Sequence, residues 1–205
     1  METLLLSAEL PHALERAIEL LRTGQLVAFP TDTVYGLGAR VFDREAVERI
    51  YLAKGRDATK PISVLVGSTA ALTEVAVGMN EHARRLAEKF WPGALTLVVL
   101  RHPALPDNLS AQTTIGVRMP NHPVALALLN VSGPLTGTSA NLSGQPSAKT
   151  AQEVYAQLSG RIPLILDGGR TPGGSPSTVV DCTGSQPVIL RPGPISQDQL
   201  IAALA

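Results

Sequence analysis

The sequence predicts an α/β fold, formed by a single domain that covers residues 1–205. Short apolar runs alternate with longer segments that carry apolar residues at helical spacing, and this alternation is typical of the class. Hydrophobic residues make up 44% of the chain and charged residues 17%, which is enough to fill a substantial core. The 18 glycines and 16 prolines lie scattered between the apolar runs, and no internal repeat or linker is evident.

The first elements follow from apolar spacing and from the residues that end each run. Apolar residues recur at helical spacing from Leu10 until Gly24, and residues 26–29 then form a strand candidate. Asp43 is placed to cap a second helix, which is followed by the strand candidate "ISVLV" at 62–66. The stretch "PTDTVYGLG" therefore leaves the carboxyl end of a strand.

The same alternation continues to the end of the sequence. Asn80 is placed to cap a helix through Phe90, and Pro123 opens a helix to about Val131. The segment "TAQEVYAQLSG" predicts one more helix, and a short helix ends the chain. The strand candidates are "ALTLVVL", "TTIGVRM", "PLTGTSAN", "IPLIL", "STVVDC" and "PVILR". The glycine-rich and proline-rich stretch "DGGRTPGGSPS" predicts a mobile loop.

Charge and composition exclude several classes of protein. Seventeen basic residues balance seventeen acidic ones, so the chain lacks the basic excess of proteins that grip nucleic acid mainly through phosphates. Aromatic residues make up 3%, too few for the usual base-stacking platform. The lone Cys182 cannot form an internal disulfide and is interpreted as a core residue. The first residues lack the pattern of an export signal, so we expect a soluble cytoplasmic protein with no membrane span.

Four polar stretches interrupt the apolar pattern at the ends of elements: "PTDT" at 30–33, "KGR" at 54–56, "TSAN" at 138–141 and "GGSPST" at 173–178. Turn formation, capping or the helix dipole explains each stretch taken alone. Arg118 and Arg191 are harder to explain in this way, because each follows apolar strand residues directly. A guanidinium there favours an anionic ligand such as a phosphate or a carboxylate.

Familiar catalytic motifs are missing. The sequence has no P-loop, no dinucleotide-binding glycine pattern and no nucleophile elbow. His12, His82, His102 and His122 show no metal-ligand spacing with Cys182. A cleft rich in cations and hydroxyls without a strong base or metal cage suits phosphoryl or nucleotidyl transfer, in which positioning and charge stabilisation carry most of the catalysis.

The order of the motifs resembles that of the YrdC-like threonylcarbamoyl-adenylate synthase family, in its short single-domain form. The matching stretches are "FPTDTVYGLG", "KGR", "WPGALTLV", "VRMPNHP", "TSANLSGQPSA", "STVVD" and "ILRPGPIS", and they span almost the whole chain. The resemblance implies a twisted open mixed sheet flanked by helices, with a concave, positively charged cavity. It also implies that L-threonine, bicarbonate and ATP are converted to threonylcarbamoyl-AMP and pyrophosphate, for N6-threonylcarbamoyladenosine in tRNA.

The resemblance also assigns functional residues. The catalytic and phosphate-binding positions that it matches are Lys54, Arg56, Ser139 and Asn141. The threonine-binding positions are Thr31, Arg118, Thr138 and Ser177. ATP binding adds Thr114, Ser147 and Arg191. Tyr35 and the glycines that follow it would shape the cavity wall. Mg²⁺ would be carried by the ATP phosphates without a protein cage, and the partners would be threonylcarbamoyl-transferase proteins that act downstream, together with tRNA.

Two features depart from the family pattern. Longer relatives carry a second C-terminal domain, so we expect any lid to be the loop at 168–176 or a partner. Leu65 stands near a position where some relatives have histidine.

Two other functions stay open. The first is a module of the same fold that binds double-stranded RNA or tRNA, which the neutral net charge disfavours. The second is a related carbamoyl-adenylate-forming protein with another substrate, which the motif set disfavours.

Overall fold

The computed structural model describes residues 2–205. Its helices are α1 (Pro11–Arg22), α2 (Arg44–Lys54), α3 (Leu72–Val75), α4 (Glu81–Phe90), α5 (Pro123–Ser132), α6 (Ala151–Leu158) and α7 (Gln197–Leu204). Its strands are β1 (Leu4–Ser7), β2 (Val27–Phe29), β3 (Gly36–Gly38), β4 (Val64–Leu65), β5 (Leu95–Leu100), β6 (Thr114–Arg118), β7 (Leu135–Thr136), β8 (Thr138–Ser139), β9 (Leu164–Asp167), β10 (Thr178–Asp181) and β11 (Val188–Arg191).

The strands form two mixed sheets, which confirms the predicted α/β class. A five-stranded sheet has the order β1-β9-β2-β3-β8, and a six-stranded sheet has the order β11-β10-β5-β6-β4-β7. In the first sheet β9 pairs in parallel with both β1 and β2, whereas β3 runs antiparallel to β2 and β8. In the second sheet β5 pairs in parallel with β10 and antiparallel with β6.

Side-chain caps begin several helices where the sequence predicts them. Asp43 accepts a hydrogen bond from the Ala46 amide at 3.0 Å, and Asn80 accepts one from the Ala83 amide at 2.9 Å. These bonds satisfy backbone donors that the first helical turn leaves unpaired. Helix α2 ends at Gly55 in the left-handed conformation, at φ 58°, which costs glycine little because it has no Cβ.

The core is divided between two clusters of buried apolar side chains. The larger cluster includes Val64, Leu97 and Val117 from the six-stranded sheet together with Leu37 and Ile165 from the five-stranded one, so both sheets contribute to it. The smaller cluster packs α1 and α5 against the five-stranded sheet. Cys182 is buried in the larger cluster, as predicted, and burial, with the nearby Asp181 carboxylate, raises the pKa of its thiol to about 12.

The structure differs from the sequence prediction at its shortest elements. The stretch "PLTGTSAN" forms two strands, β7 in the six-stranded sheet and β8 in the five-stranded one, with Gly137 between them. A Cβ at Gly137 would lie 3.0 Å from the Leu65 side chain, so the absence of a side chain lets the chain cross between the sheets. The pattern also fails to predict β1, β3 and α3, since runs of three or four residues carry little periodic signal.

Among residues 2–205, no helix is both long enough and apolar enough to cross a membrane. The same residues contain no group of three or more histidine, cysteine, aspartate or glutamate side chains that could hold a metal ion.

Asn80 links helix α4 to the far end of strand β10, and this link leads to a stability prediction. Its amide donates to the Cys182 carbonyl at 2.5 Å while its carbonyl caps the helix. Asn80→Ala removes both bonds and should lower the free energy of unfolding by about 1–2 kcal/mol in urea denaturation. Asn80→Ser keeps a capping hydroxyl and should lose less. Equal losses in the two variants would contradict a role for the cap.

Candidate active site

A cavity of about 200 Å³ lies where the two sheets meet, and polar loops surround it. It is lined by Thr31, Thr33, Val34, Tyr35, Gly36, Arg56, Pro61, Ile62, Ser63, Leu65, Thr96, Arg118, Gly137, Thr138, Ser139, Pro176, Ser177, Val179 and Arg191. Within the part of the chain that the structure describes, this lining contains three arginines and no carboxylate, histidine or lysine. The cavity therefore offers fixed cations and hydroxyls rather than a strong base.

The turn after β2 supplies the first hydroxyls. Thr31 Oγ1 donates to the Val34 carbonyl at 2.7 Å and accepts from the Thr33 amide at 3.1 Å. Its single proton is therefore committed, so Thr33 Oγ1 is the donor in the 3.0 Å bond between the two hydroxyls. Thr31 thus shapes the turn as well as lining the cavity, and Thr33, which is not among the predicted site residues, lines the cavity beside it.

Arg118 ends strand β6 and is 6% exposed. Its Nε donates to the Gly93 carbonyl at 2.9 Å, its Nη1 donates to Thr33 Oγ1 at 2.8 Å, and its Nη2 donates to Asp32 Oδ1. Burial lowers the pKa of the guanidinium, and the Asp32 carboxylate opposes that shift. Arg118 lines the cavity, and these three hydrogen bonds fix its orientation there.

Lys54 does not line the cavity. The residue is 2% exposed, and its ammonium donates to the backbone carbonyls of Ser139 and Asn141, at 2.6 Å in the second case. It therefore lies behind the turn that presents Ser139 to the cavity. Burial lowers the pKa of Lys54 to about 8, and the charge of Arg56 adds to that shift.

Arg56 and Ser139 lie on the cavity wall, and Asn141 lies beside it. Arg56 donates to the Pro61 carbonyl at 3.0 Å. The Asn141 amide nitrogen donates to the carbonyls of Leu142 and Gln145, whereas its Oδ1 is buried without a partner among the described residues. The "KGR" and "TSAN" stretches thus meet in space, although only one residue of the first reaches the cavity.

Ser177 and Arg191 contact each other directly. Arg191 donates through Nε and Nη2 to the Ser177 carbonyl, at 3.2 and 2.9 Å, and Nη2 also lies 3.2 Å from Ser177 Oγ. Ser177 Oγ shares a 2.7 Å bond with Thr96 Oγ1. The family resemblance implies a threonine-binding role for Ser177 and an ATP-binding role for Arg191, and this contact couples the two positions.

Thr114 and Ser147 are absent from the cavity lining. Thr114 lies four residues before Arg118, roughly 13 Å away along the same face of β6. Ser147 precedes Ala148, whose carbonyl accepts from the Tyr35 amide at 2.9 Å. Thr138, by contrast, lines the cavity next to Ser139.

The loop at 168–176 lies against the turn after β2. Tyr35 Oη donates to the Gly169 carbonyl at 2.7 Å, and the Gly174 amide donates to the Thr33 carbonyl at 2.8 Å. A Cβ at Gly173 would lie 2.6 Å from the Asp32 carbonyl oxygen, so this close approach requires glycine. Burial raises the pKa of Tyr35 to about 12, which keeps its hydroxyl protonated as a donor.

Several polar residues that line the cavity or stand directly behind its wall are not singled out by the sequence pattern. Thr33 and Asp32 belong to the "PTDT" stretch that this pattern selects, but nothing in it separates them from ordinary turn residues. Ser63 and Thr96 are polar residues of apolar strand segments, and alternation with a period of two would have placed them opposite the core-facing residues. Leu65, paired with Arg118 across β4 and β6, supplies an apolar part of the wall.

Known proteins resemble this chain along most of its length. A family model named Sua5_yciO_yrdC, with the description "Telomere recombination", matches residues 19–193. The threonylcarbamoyl-AMP synthase of Bacillus subtilis is 46% identical over 195 residues, covering 92% of this chain and 56% of that protein. The threonylcarbamoyl-AMP synthase of Vibrio cholerae is 35% identical, covering 88% of this chain and 97% of that protein.

A solved structure shares the fold. The structure of Pyrococcus abyssi Sua5 complexed with L-threonine matches with a TM-score of 0.94 and 40% identity, over 100% of this chain and 61% of that one. The chain therefore spans somewhat more than half the length of its Bacillus and Pyrococcus relatives, and nearly all of the Vibrio one.

The buried ammonium of Lys54 leads to a prediction about stability and pH. The unfolded chain keeps this proton up to about pH 10.5, whereas the folded chain releases it near pH 8. Between these values the unfolded state binds more protons, so Lys54 contributes stability that rises with pH, by at most about 1.4 kcal/mol per unit. Chemical denaturation from pH 7 to 10 should therefore show the wild type gaining stability relative to Lys54→Met above pH 8.

Lys89→Met is the matched control, because Lys89 is exposed on α4. The difference between that variant and the wild type should stay flat across the same range. If the stability difference between the wild type and Lys54→Met also stays flat from pH 7 to 10, burial does not lower the pKa of Lys54 and the prediction is wrong.

Proposed function

The chain belongs to the Sua5_yciO_yrdC family, and from that membership we propose that it is an L-threonylcarbamoyladenylate synthase. The reaction joins the amino group of L-threonine and bicarbonate as a carbamate with loss of water, and it transfers the adenylyl group of ATP to a carbamate oxygen with release of pyrophosphate. The product serves N6-threonylcarbamoyladenosine formation in tRNA. The observation that carries the proposal is the cavity in which Arg56, Arg118 and Arg191 converge with hydroxyl side chains.

The chemistry requires stabilisation of negative charge more than proton removal. A carbamate oxygen attacks the α-phosphorus of ATP, the bond from that phosphorus to the bridging oxygen breaks, and pyrophosphate departs with the electron pair. Charge develops on phosphoryl oxygens, where fixed arginine and hydroxyl donors stabilise it. Among the residues that the structure describes, the lining has no carboxylate, histidine or lysine, and this supports catalysis by positioning and charge stabilisation rather than by a general base.

We assign the two sides of the cavity to the two kinds of substrate. Arg118 and the Thr31 turn lie at the carboxyl ends of β6 and β2, and they would receive the threonine carboxylate and its carbamate. Arg56, with Ser139, would hold the phosphates, and Arg191 would bind the nucleotide. Because Arg191 contacts Ser177, threonine and ATP binding should influence each other.

Lys54 would act on phosphate binding through the protein backbone. Its ammonium holds the carbonyls of Ser139 and Asn141, which positions the Ser139 hydroxyl on the wall. The Asn141 Oδ1 has no protein partner in the described chain and could accept a hydrogen bond from substrate. Thr114 and Ser147 would contribute at the outer ATP side.

Mg²⁺ would enter with ATP as part of the substrate. Two carboxylates of the described chain are bonded to cavity residues: Asp32 Oδ1 accepts from Arg118 and from the Asn121 amide, and Asp167 Oδ1 accepts from Tyr35 Oη at 3.4 Å. Because these carboxylates are already bonded within the protein, the arrangement suits a metal that is carried by phosphate oxygens and neutralises charge on the leaving group.

We also propose that the protein works in the cytoplasm, delivers its adenylate to threonylcarbamoyl-transferase proteins and contacts tRNA there. The buried, unpaired Cys182 fits a reducing compartment.

Substrate dependence tests the proposed reaction directly. Pyrophosphate release from ATP should require both bicarbonate and L-threonine, with threonylcarbamoyl-AMP as the adenylate detected by mass spectrometry. Omitting either co-substrate should abolish release. Equal ATP turnover without them, or formation of ADP, would overturn the synthase assignment, and RNA binding without turnover would favour the RNA-binding module instead.

Arg56→Ala tests the phosphate-binding role. Loss of one transition-state donor should reduce turnover about a hundredfold, equivalent to about 3 kcal/mol, with the fold preserved. Lys54→Ala should also depress turnover strongly, because it releases the Ser139 backbone. Arg44→Ala, at the opposite end of α2 and exposed, is the control and should keep wild-type turnover. Wild-type turnover in Arg56→Ala would leave Arg56 with a purely structural role.

A further inference from the structure

Asp32 stands directly behind the cavity wall and contacts one of the residues that form it. Its carboxylate is 13% exposed and is absent from the cavity lining. Oδ1 accepts from Arg118 Nη2 and also from the Asn121 amide at 2.9 Å. One oxygen therefore holds both the side chain at the end of β6 and the backbone that follows it.

The burial of Arg118 makes a countercharge necessary. Its side chain is 8% exposed, and an isolated guanidinium so far from water is strongly unfavourable. Asp32 is the one acidic partner within 4.0 Å of Arg118 among residues 2–205. Without that carboxylate, turning toward water or toward another anion within reach would lower the free energy of the guanidinium.

The hydrogen bonds of Arg118 leave a defined part of the guanidinium for a ligand. The acceptors Gly93 O, Thr33 Oγ1 and Asp32 Oδ1 take one N–H from each of its three nitrogens. A guanidinium has five N–H donors, so two remain, one on each terminal nitrogen. Because Arg118 lines the cavity, these two donors are the ones available to a carboxylate or carbamate there.

We infer that Asp32 is a positioning residue for the amino-acid substrate: it holds Arg118 so that its two free N–H groups face the substrate carboxylate. The inference rests on the proposed function, in which Arg118 binds the anionic end of threonine. Asp32 does not touch the substrate and acts through Arg118, whose orientation is also supported by Thr33 on the same turn. The "PTDT" turn thus acts through the aspartate as well as through its hydroxyls.

Asp32→Asn tests the inference, because it keeps the shape and an acceptor oxygen while removing the charge. We expect the dissociation constant for L-threonine, measured by calorimetry without ATP, to rise about tenfold to a hundredfold. The KM for threonine should rise alongside it, whereas the KM for ATP should change little. Asp32→Glu, which keeps the charge, should recover part of the threonine affinity.

The Arg101–Asp107 pair provides the matched control. Arg101 Nη2 lies 2.7 Å from Asp107 Oδ1 and also donates to a backbone carbonyl, but neither residue lines the cavity. Asp107→Asn should leave threonine affinity unchanged. In an Arg118→Gln background, Asp32→Asn should have no further effect on threonine affinity, because the residue through which it acts is gone.

The outcomes separate this inference from the proposed function. A wild type that binds threonine but forms no adenylate would overturn the synthase assignment and still allow the Asp32 comparison. Unchanged threonine affinity in Asp32→Asn, equal shifts in the KM for threonine and ATP, or an undiminished effect in the Arg118→Gln background would overturn the inference. If Asp32→Asn fails to fold, a crystal structure of the wild type with L-threonine decides, since Arg118 must then contact Asp32 and the substrate carboxylate together.

Discussion

The ion pair between Arg118 and Asp32 is the interaction on which the cavity depends. Arg118 ends a strand of the six-stranded sheet, and Asp32 follows a strand of the five-stranded sheet, so the pair ties the two sheets together at the cavity. The bond from Arg118 to Thr33 adds a second tie between the same elements. A buried ion pair of this kind contributes geometry more than stability, because desolvation offsets most of the Coulombic attraction.

A second buried cation supports another part of the cavity wall. Lys54 ends helix α2 and holds the backbone carbonyls of Ser139 and Asn141 just after the crossing from one sheet to the other. Its lowered pKa reflects the free-energy cost of keeping this charge away from water. Hydrogen bonds thus fix the Arg118 guanidinium and the backbone of Ser139 at the cavity, and fixed donors of this kind are the arrangement that electrostatic catalysis favours.

Much of the fold and part of the site could be predicted from residue patterns. The caps Asp43 and Asn80 were correct because a cap bond spans three residues and depends only on local sequence. Strands of two or three residues, such as β3 and β7, were missed or merged because their pairing depends on partners far along the chain. Of the predicted site residues, Arg56, Arg118, Ser139, Ser177 and Arg191 line the cavity together with Thr31 and Thr138.

The sequence by itself determined the α/β class, the helix boundaries that caps define and the order of motifs that indicates the family, because these depend on periodicity and on neighbours a few positions away. Only the tertiary structure decided which polar residues face the cavity and which stand behind it. Arg118 and Asp32 are 86 positions apart, and Lys54 and Ser139 are 85 apart. The roles proposed for Asp32 and Lys54 rest on contacts that exist only once the two sheets have packed together, and no local pattern encodes those contacts.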